Sequence, residues 1–337
     1  MGERAADRFP YDDEVLSSWL YRRLGQLDVA GHVFDHALAH DYPEVAGMLA
    51  NDPDYPSGTL WRTALGSFTG VPPAELQALG WPSSMWFLKP GFRHSACLVC
   101  LSEAPTIASQ HVREQWLQSW RTTCSIHQAP LVEVPAIGMA WALLPRASRK
   151  IHGRLMRRPD RFAARLVEGW NQVPSFVREA VFGAEVRIME AWHEHYSNQR
   201  GNLGASGSIA VWRDLLALCV SSWETTTSTP VAAQALPSSL IHGSAYFRCS
   251  SVQPCAEPDI ELSTFRTMAD PAARRVCLVA AMDAMYDISD KRIVGLKRQP
   301  LWGWNRVVSC LPQVALDWLQ DRSHAWPTGW RTILDRW

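Results

Sequence analysis

Two short stretches decide how the middle of this chain folds: CLVC at residues 97–100 and CSIH at residues 124–127. Each stretch places two metal-ligating side chains three positions apart, on one tight turn, and the segment between them can fold back to join the pairs. The pattern predicts a structural zinc site of three thiolates and one imidazole, with the ligands Cys97, Cys100, Cys124 and His127. Protein side chains fill all four positions and no H-x-E partner accompanies them, so a catalytic zinc is not expected.

The bulk composition indicates a globular chain without a strong charge bias. The sequence has 337 residues, of which 47% are hydrophobic, and 33 Lys and Arg residues balance 33 Asp and Glu residues. This length allows two or three domains. A formal charge of zero argues against coating nucleic acid by charge alone, so any such contact must be local. The 17 tryptophans predict aromatic packing between helices, with some at partner interfaces.

Targeting signals are not evident in the sequence. Residues 1–10 lack the apolar stretch of a signal peptide, and no segment is apolar over the length of a membrane span. Eight cysteines in a large chain suit a reducing compartment. We therefore expect a cytoplasmic protein that does not enter a membrane.

The first 90 residues predict a helical domain. Apolar residues at helical spacing over residues 15–27 indicate a first helix, and a second is expected over residues 33–40. Residues 59–80 have a helix–turn–helix pattern in which Gly70 ends one helix and residues 73–79 form the next. Such a pair is either a structural or dimer-packing element or a reader of duplex DNA. The second helix carries no Lys or Arg, which favours the first alternative.

Residues 91–135 predict a small zinc-finger subdomain with short strands. We expect a helix over residues 108–120 and a strand over residues 130–134. A site of three thiolates and one neutral imidazole around a divalent ion has a net charge of about −1. Arg93 and Arg121 flank the ligand pairs and are expected to offset that charge.

The strongest charge bias lies between residues 146 and 165, within a helical pattern that extends from residue 136 to residue 200. Its cations are Arg146, Arg149, Lys150, Arg154, Arg157, Arg158, Arg161 and Arg165. They form either a solvated helical face or a patch that binds phosphates or an acidic partner.

A Gly-, Ser- and Asn-rich stretch at residues 197–209 predicts a linker before a C-terminal helical domain, with helices over residues 211–223 and 271–288. Residues 291–306 mix cations with indole rings and contain no acid, which suits a nucleic-acid backbone or flipped bases and equally suits a protein interface. The residues concerned are Lys291, Arg292, Lys297, Arg298, Arg306, Trp302 and Trp304. The predicted domains are therefore residues 1–90, 91–135, 136–200 and 201–337.

Motifs for enzymatic chemistry are missing from the sequence. There is no Walker A loop, no dinucleotide fingerprint and no nucleophile elbow. The carboxylates show no arrangement typical of a two-metal nuclease or transposase. The sequence predicts a binding protein rather than an enzyme.

Three features together resemble the TniQ/TnsD family of transposon target-selection proteins, and the resemblance covers residues 9–135. They are the opening PYDDEVLSSWL at residues 10–20, the helix–turn–helix at residues 59–80, and the zinc element in residues 93–131, which is similar in order and spacing. The family usually has Pro after the first Cys of each pair and Gly after the His. This chain departs from that pattern at Leu98, Ser125 and Gln128.

The resemblance implies a role as a target-selection adaptor. Such proteins link a target-marking complex to the AAA+ ATPase regulator of the transposon, which recruits the transposase. In CRISPR-associated transposons the marker is an effector complex with a guide RNA, and the adaptor is often a head-to-tail homodimer. The alternative is a direct, sequence-specific DNA-binding target selector of the TnsD type. No second zinc knuckle is evident after His127, and the chain is electrically neutral; both features favour the adaptor.

Overall fold

The computed structural model describes residues 9–29, 31–76, 86–104, 110–133, 159–200, 207–221, 262–268, 270–289 and 311–331. The chain divides into two compact units, Met1–Arg165 and Leu166–Trp337. Helices dominate both, and the described strands form one two-stranded sheet, which confirms the predicted mainly helical fold class. Within the described residues, every helix is too short or too polar to cross a bilayer.

Four helices open the first unit around a common core. They are α1 (Leu16–Gln26), α2 (Gly31–Asp41), α3 (Pro43–Asn51) and α4 (Leu60–Thr69). The sequence predicted α1, α2 and α4, whereas α3 was not foreseen. Their apolar faces bury Leu16, Trp19, Leu24, Phe34, Leu38, Val45, Trp61 and Leu65. Leu27 ends the predicted stripe on α1 but is 39% exposed, because the helix has already ended there.

The helix–turn–helix prediction holds for the first helix and the turn. Gly70 ends α4 with a φ of 67°, a left-handed conformation that glycine adopts without a steric penalty. Within α4, a Cβ on Gly66 would lie 2.8 Å from the carbonyl oxygen of Val71, so only glycine fits there. Residues 73–76 of the predicted second helix form consecutive turns instead of an α-helix. Residues 77–80 lie outside the described residues.

The predicted helix over residues 108–120 is wrong for its described part. Residues 110–113 are extended, and a single 3-10 turn, Glu114–Leu117, follows. We call residues 110–120 the crossing segment, because its backbone bonds to distant parts of the chain. The spacing of Val112, Trp116 and Trp120 correctly marked three buried side chains, but burial alone does not specify a helix.

Backbone hydrogen bonds to distant residues replace the helical ones in the crossing segment. The Val15 N–H donates to the carbonyl oxygen of Val112 at 3.1 Å, and the Glu114 N–H donates to that of Asp13 at 2.8 Å. Further along, the Leu88 N–H donates to the carbonyl oxygen of Leu117 at 2.8 Å. These bonds satisfy buried backbone groups between the start of α1 and the metal-ligand region.

Short strands complete the first unit. β1 (Ser95–Ala96) pairs antiparallel with β2 (Val132–Glu133), with Ser95 opposite Glu133. The predicted strand over residues 130–134 is thus confirmed at its centre. β1 leads into Cys97 and the short helix α5 (Leu98–Glu103).

The second unit is a set of packed helices. Helix α6 (Pro159–Gln172) contains the boundary between the units, and the helices that follow are α7 (Ser175–Arg200), α8 (Gly207–Val220), α9 (Ser263–Arg266), α10 (Pro271–Ser289), α11 (Gln313–Ser323) and α12 (Thr328–Arg331). The helices predicted over residues 211–223 and 271–288 are present. The predicted linker is shorter than expected, because helix extends to Arg200 and resumes at Gly207.

A buried carboxylate ties α8 to α11 in the second unit. Asp214 is fully buried and accepts hydrogen bonds from the indole of Trp326 at 2.9 Å and from Arg322 at 3.1 Å. Trp212 and Trp326 are also buried, as are Trp19, Trp61 and Trp116 in the first unit. The prediction of aromatic packing is confirmed for these five residues.

The crossing segment generates a prediction about pH. Burial, followed by the negative charge of Asp13, raises the pKa of Glu114 from 4.5 to about 7. Because the folded pKa lies above the unfolded one, folding favours the protonated acid, and this contribution is lost as the pH rises through about 7. We expect Glu114→Gln to raise the free energy of unfolding by about 1–3 kcal/mol at pH 8 and by little at pH 4.5. Urea denaturation at both pH values measures the difference.

Glu75→Gln, at an exposed position of the same unit, is the control for this change of charge. An equal effect of Glu114→Gln at both pH values would contradict the prediction.

Candidate metal centre

The four predicted metal ligands converge on one point. Nδ1 of His127 lies 3.3 Å from Sγ of Cys100, 3.6 Å from Sγ of Cys97 and 3.7 Å from Sγ of Cys124. The sulfurs of Cys100 and Cys124 are 3.6 Å apart, which is far longer than the roughly 2.05 Å of a disulfide. All four ligand atoms lie within 4.8 Å of one another, so they can hold one metal ion.

These separations fit a tetrahedral ion. With bonds of about 2.3 Å to sulfur and about 2.0 Å to nitrogen, tetrahedral angles place two sulfurs about 3.8 Å apart and a sulfur and a nitrogen about 3.5 Å apart. The observed sulfur–nitrogen distances of 3.3–3.7 Å lie on both sides of the expected value, and the observed sulfur–sulfur distance of 3.6 Å is slightly shorter than expected. The four atoms therefore outline the edges of a coordination tetrahedron.

Local backbone structure presents the first pair of ligands. Cys97 lies in extended backbone at the N-terminal boundary of α5, and Cys100 lies in the first turn of that helix. The N–H of Leu101 donates to the carbonyl oxygen of Cys97 at 3.1 Å and closes the turn. Leu98, which stands where the family usually has Pro, is buried at the first helical position. That position accepts proline or any good helix former, so the departure leaves the turn intact.

The second pair of ligands, Cys124 and His127, lies on a turn that two backbone hydrogen bonds close. The Cys124 N–H donates to the carbonyl oxygen of Ala129, and the Gln128 N–H donates to that of Cys124, both at 2.8 Å. Gln128 has a φ of 49°, in the left-handed region. This conformation gives the physical reason for the usual glycine after the histidine, since glycine adopts it without a steric penalty.

The sulfur cluster has unusual acid–base properties. Contacts with Cys124 and Cys97, followed by burial, raise the pKa of Cys100. The contact with Cys100 lowers the pKa of Cys97, but the contact with Cys124 and burial outweigh it and raise that pKa to about 11. The contacts with Cys100 and Cys97 lower the pKa of Cys124. The close approach of three sulfurs therefore disfavours ionisation of all three together, and a bound cation would offset that cost.

Arg113, which the sequence pattern did not indicate, interacts electrostatically with the thiols of Cys100 and Cys124. Burial lowers the pKa of Arg113, but the charges of Asp13, Cys100 and Cys124 outweigh burial and raise the pKa above its usual value. Arg113 also forms an ion pair with Asp13, whose other carboxylate oxygen is 3.2 Å from His111. Arg113 therefore adds positive charge beside the sulfurs while tying the crossing segment to the residues before α1.

Arg93 does not have the role predicted for it. Its guanidinium donates to Asp54 at 2.8 Å, to Asp52 at 2.5 and 2.6 Å, and to the carbonyl oxygen of Leu88 at 2.8 Å. Burial lowers its pKa, but the hydrogen bond to Asp52 and the charges of Asp54 and Asp52 outweigh burial and raise it. Arg93 thus secures the loop that follows α3 rather than neutralising the thiolates. Arg121 stacks over Trp120 at 5.8 Å.

Asp54 extends this network to the start of α1. Its Oδ1 accepts the backbone N–H of Ser17 at 2.9 Å and so caps a helix from a distant loop. The residue at the N-cap position of α1 is Val15, and the carboxylate of Glu14 forms an ion pair with Arg22.

The residues of the opening motif form a second buried network. Glu14 accepts from Nη2 of Arg22 at 2.7 Å and from the hydroxyl of Ser18 at 3.0 Å. That hydroxyl accepts the N–H of Val112 at 3.0 Å. The motif at residues 10–20 therefore joins α1 to the crossing segment, a role that the sequence alone did not indicate.

Sequence reasoning also missed Glu103. Its carboxylate lies 2.9 Å from Nε2 of His127, on the side of the ring opposite the sulfurs. Glu103 follows Cys100 by three positions in α5, so helical spacing from a ligand was the available signal.

Most of the predicted nucleic-acid or partner-binding residues lie outside the described residues. Of the run at residues 146–165, Arg161 and Arg165 are described and exposed on α6. Arg146, Arg149, Lys150, Arg154, Arg157 and Arg158 fall outside, as do Lys291, Arg292, Lys297, Arg298, Arg306, Trp302 and Trp304. Their proposed role stays a prediction.

Comparison with known families identifies the region that contains this centre. Residues 9–131 match the family model TniQ, from just before the opening motif to just beyond the metal ligands. No curated protein and no solved structure matches the chain.

Loss of a sulfur ligand should unfold the metal element. We expect Cys97→Ser or Cys124→Ser to abolish stoichiometric metal binding and to remove hydrogen-exchange protection from residues 90–135, because a structural metal supplies folding free energy directly. Elemental analysis and hydrogen exchange measure the two effects. Cys277→Ser, in the second unit, is the control and should keep the metal; unchanged melting after chelation would contradict the prediction.

The left-handed conformation of Gln128, in the turn that carries Cys124 and His127, predicts that glycine is more stable at this position. We expect Gln128→Gly to stabilise the metal-loaded first unit by about 1 kcal/mol, because a non-glycine residue pays about 1–2 kcal/mol in the left-handed region. Gln128→Ala keeps the strained φ and should give no such gain. Thermal melting with saturating metal compares the two, and equal stability of the Gly and Ala variants would be evidence against strain.

Proposed function

We propose that this chain, which belongs to the TniQ family through residues 9–131, is a non-enzymatic adaptor linking a target-marking complex to the AAA+ ATPase regulator of a transposon. Membership of the family indicates a transposition-associated role in target selection. The observation that carries the proposal is the correspondence between the matched residues and the networks around the metal centre. The opening motif, the crossing segment and the four ligands all lie within residues 9–131.

The geometry of this region suits an adaptor. An adaptor needs a surface that keeps its shape when a partner binds, and packed, hydrogen-bonded supports provide that. The Glu14–Arg22 and Asp54–Arg93 pairs are buried; Glu14 also accepts a hydrogen bond from the hydroxyl of Ser18, and Asp54 accepts one from the backbone N–H of Ser17. Networks that satisfy their buried charges in this way fix one arrangement of the elements.

We propose Zn²⁺ as the ion and a structural role for it. Thiolate and imidazole ligands select zinc over magnesium and calcium, which prefer oxygen ligands. Four protein ligands in tetrahedral positions leave no open position for a substrate, which supports structure rather than catalysis.

The partners follow from the family and are part of the proposal. We propose a homodimer that acts in the cytoplasm, where its cysteines stay reduced, and that receives an RNA-guided CRISPR effector as the target-marking complex. The AAA+ regulator would engage the same protein and carry the signal to the transposase.

Direct reading of target DNA is the second candidate function. Arg161 and Arg165 favour it, because they present exposed cations at the end of the strongest basic run. The described part of the helix–turn–helix gives it little support. Between residues 59 and 76 the sole Lys or Arg is Arg62, which lies over the ring of Trp61 at 5.3 Å. A reader of the major groove normally presents several polar or cationic side chains.

Co-purification with the AAA+ regulator of the same transposon tests the adaptor. We expect the intact, metal-loaded chain to retain the regulator, and the Cys97→Ser variant to lose it because its docking region has collapsed. Cys277→Ser is the matched control and should behave as the parent chain. Failure to bind the regulator, both with and without the target complex, would rule out the adaptor.

The same preparation distinguishes the second function in a gel-shift series at increasing salt. Sequence-specific duplex binding with a steep salt dependence would establish a DNA reader. An adaptor should show no duplex preference even at low salt.

A further inference from the structure

The metal centre presents its histidine in a defined orientation. Nδ1 of His127 faces the three sulfurs at 3.3–3.7 Å, whereas Nε2 points away from them toward Glu103. A neutral imidazole that ligates a metal through one nitrogen carries its proton on the other. With a metal bound at Nδ1, a neutral His127 would carry its proton on Nε2, which lies 2.9 Å from the Glu103 carboxylate.

The position of Glu103 is otherwise unfavourable for an acid. It is the last residue of α5, where the helix dipole disfavours negative charge. The contact with the imidazole N–H offsets part of this cost.

We propose that Glu103 is a positioning residue for the metal centre: its carboxylate accepts the Nε2–H of His127, selects Nδ1 as the metal-binding atom and strengthens the imidazole as a ligand. A carboxylate behind a metal-bound histidine fixes the ring orientation and raises its basicity. Glu103 needs no contact with the metal for this, and its side chain is 63% exposed. The inference concerns metal binding and is independent of the adaptor role.

Three variants of the full chain separate the contributions of Glu103. Glu103→Ala removes the acceptor and the charge, Glu103→Gln removes the charge but keeps an amide oxygen, and Glu179→Gln makes the same change at an exposed site on α7 as a control. The dissociation constant for Zn²⁺ is measured by competition with a chromophoric chelator. We expect Glu103→Ala to raise it about 10–100-fold, Glu103→Gln to raise it less, and Glu179→Gln to leave it unchanged.

A spectroscopic measurement separates positioning from a general loss of stability. Nitrogen NMR of the zinc-loaded protein should show His127 ligated through Nδ1 with a proton on Nε2, and the Nε2–H resonance should shift in both Glu103 variants. In the Co²⁺-substituted protein, Glu103→Ala should change the ligand-field bands while circular dichroism shows unchanged helix content.

Several results would overturn the inference. One is a Zn²⁺ dissociation constant for Glu103→Ala equal to that of Glu179→Gln. Another is ligation of His127 through Nε2. A third is a Glu103→Gln variant that binds Zn²⁺ no better than Glu103→Ala, since the retained acceptor should restore part of the affinity.

Discussion

The convergence of three sulfurs and one imidazole nitrogen is the constraint on which the N-terminal unit depends. Cys97 and Cys100 belong to the start of α5, and Cys124 and His127 belong to a separate turn. The sheet near these ligands has only two residues in each strand, which is too small to hold the two segments together. A shared metal ion would join the two segments and add its binding free energy to what apolar burial in this element provides.

Buried ion pairs connect this element to the helical core. Arg93 donates to the carbonyl oxygen of Leu88 and to Asp54, and Asp54 accepts the backbone N–H of Ser17 at the start of α1. Glu14, Ser18 and Val112 connect the opening motif to the crossing segment. Removing one partner of such a pair would leave a buried charge without compensation, so the residues of each network depend on one another. The opening motif and the metal ligands are therefore parts of one structural arrangement, although about 80 positions separate them in the sequence.

The pairing of charges within the first unit affects what its surface can bind. Three arginines of the first unit form ion pairs within it: Arg93 with two aspartates, Arg22 with Glu14 and Arg113 with Asp13. Cations that are paired within the fold contribute less to binding a phosphate backbone than unpaired ones do. The basic run at residues 146–165 stays a predicted solvated face or binding patch, and its described members, Arg161 and Arg165, are exposed.

Local patterns in the sequence determined the ligand set, the main helices and the residues that end them. Ligand spacing gave the four metal-binding residues, periodicity gave α1, α2, α4, α8 and α10, and Gly70 marked the end of α4, because each feature depends on neighbours within a few positions. Tertiary structure decided what depends on distant partners. The crossing segment has helical spacing of its buried residues, yet it forms extended backbone and one 3-10 turn instead of an α-helix, because its backbone bonds to Asp13, Val15 and Leu88. Likewise, Arg93 lies four positions before a thiolate but bonds to two aspartates about 40 positions away, since a long side chain pairs with whichever charge the fold brings nearest.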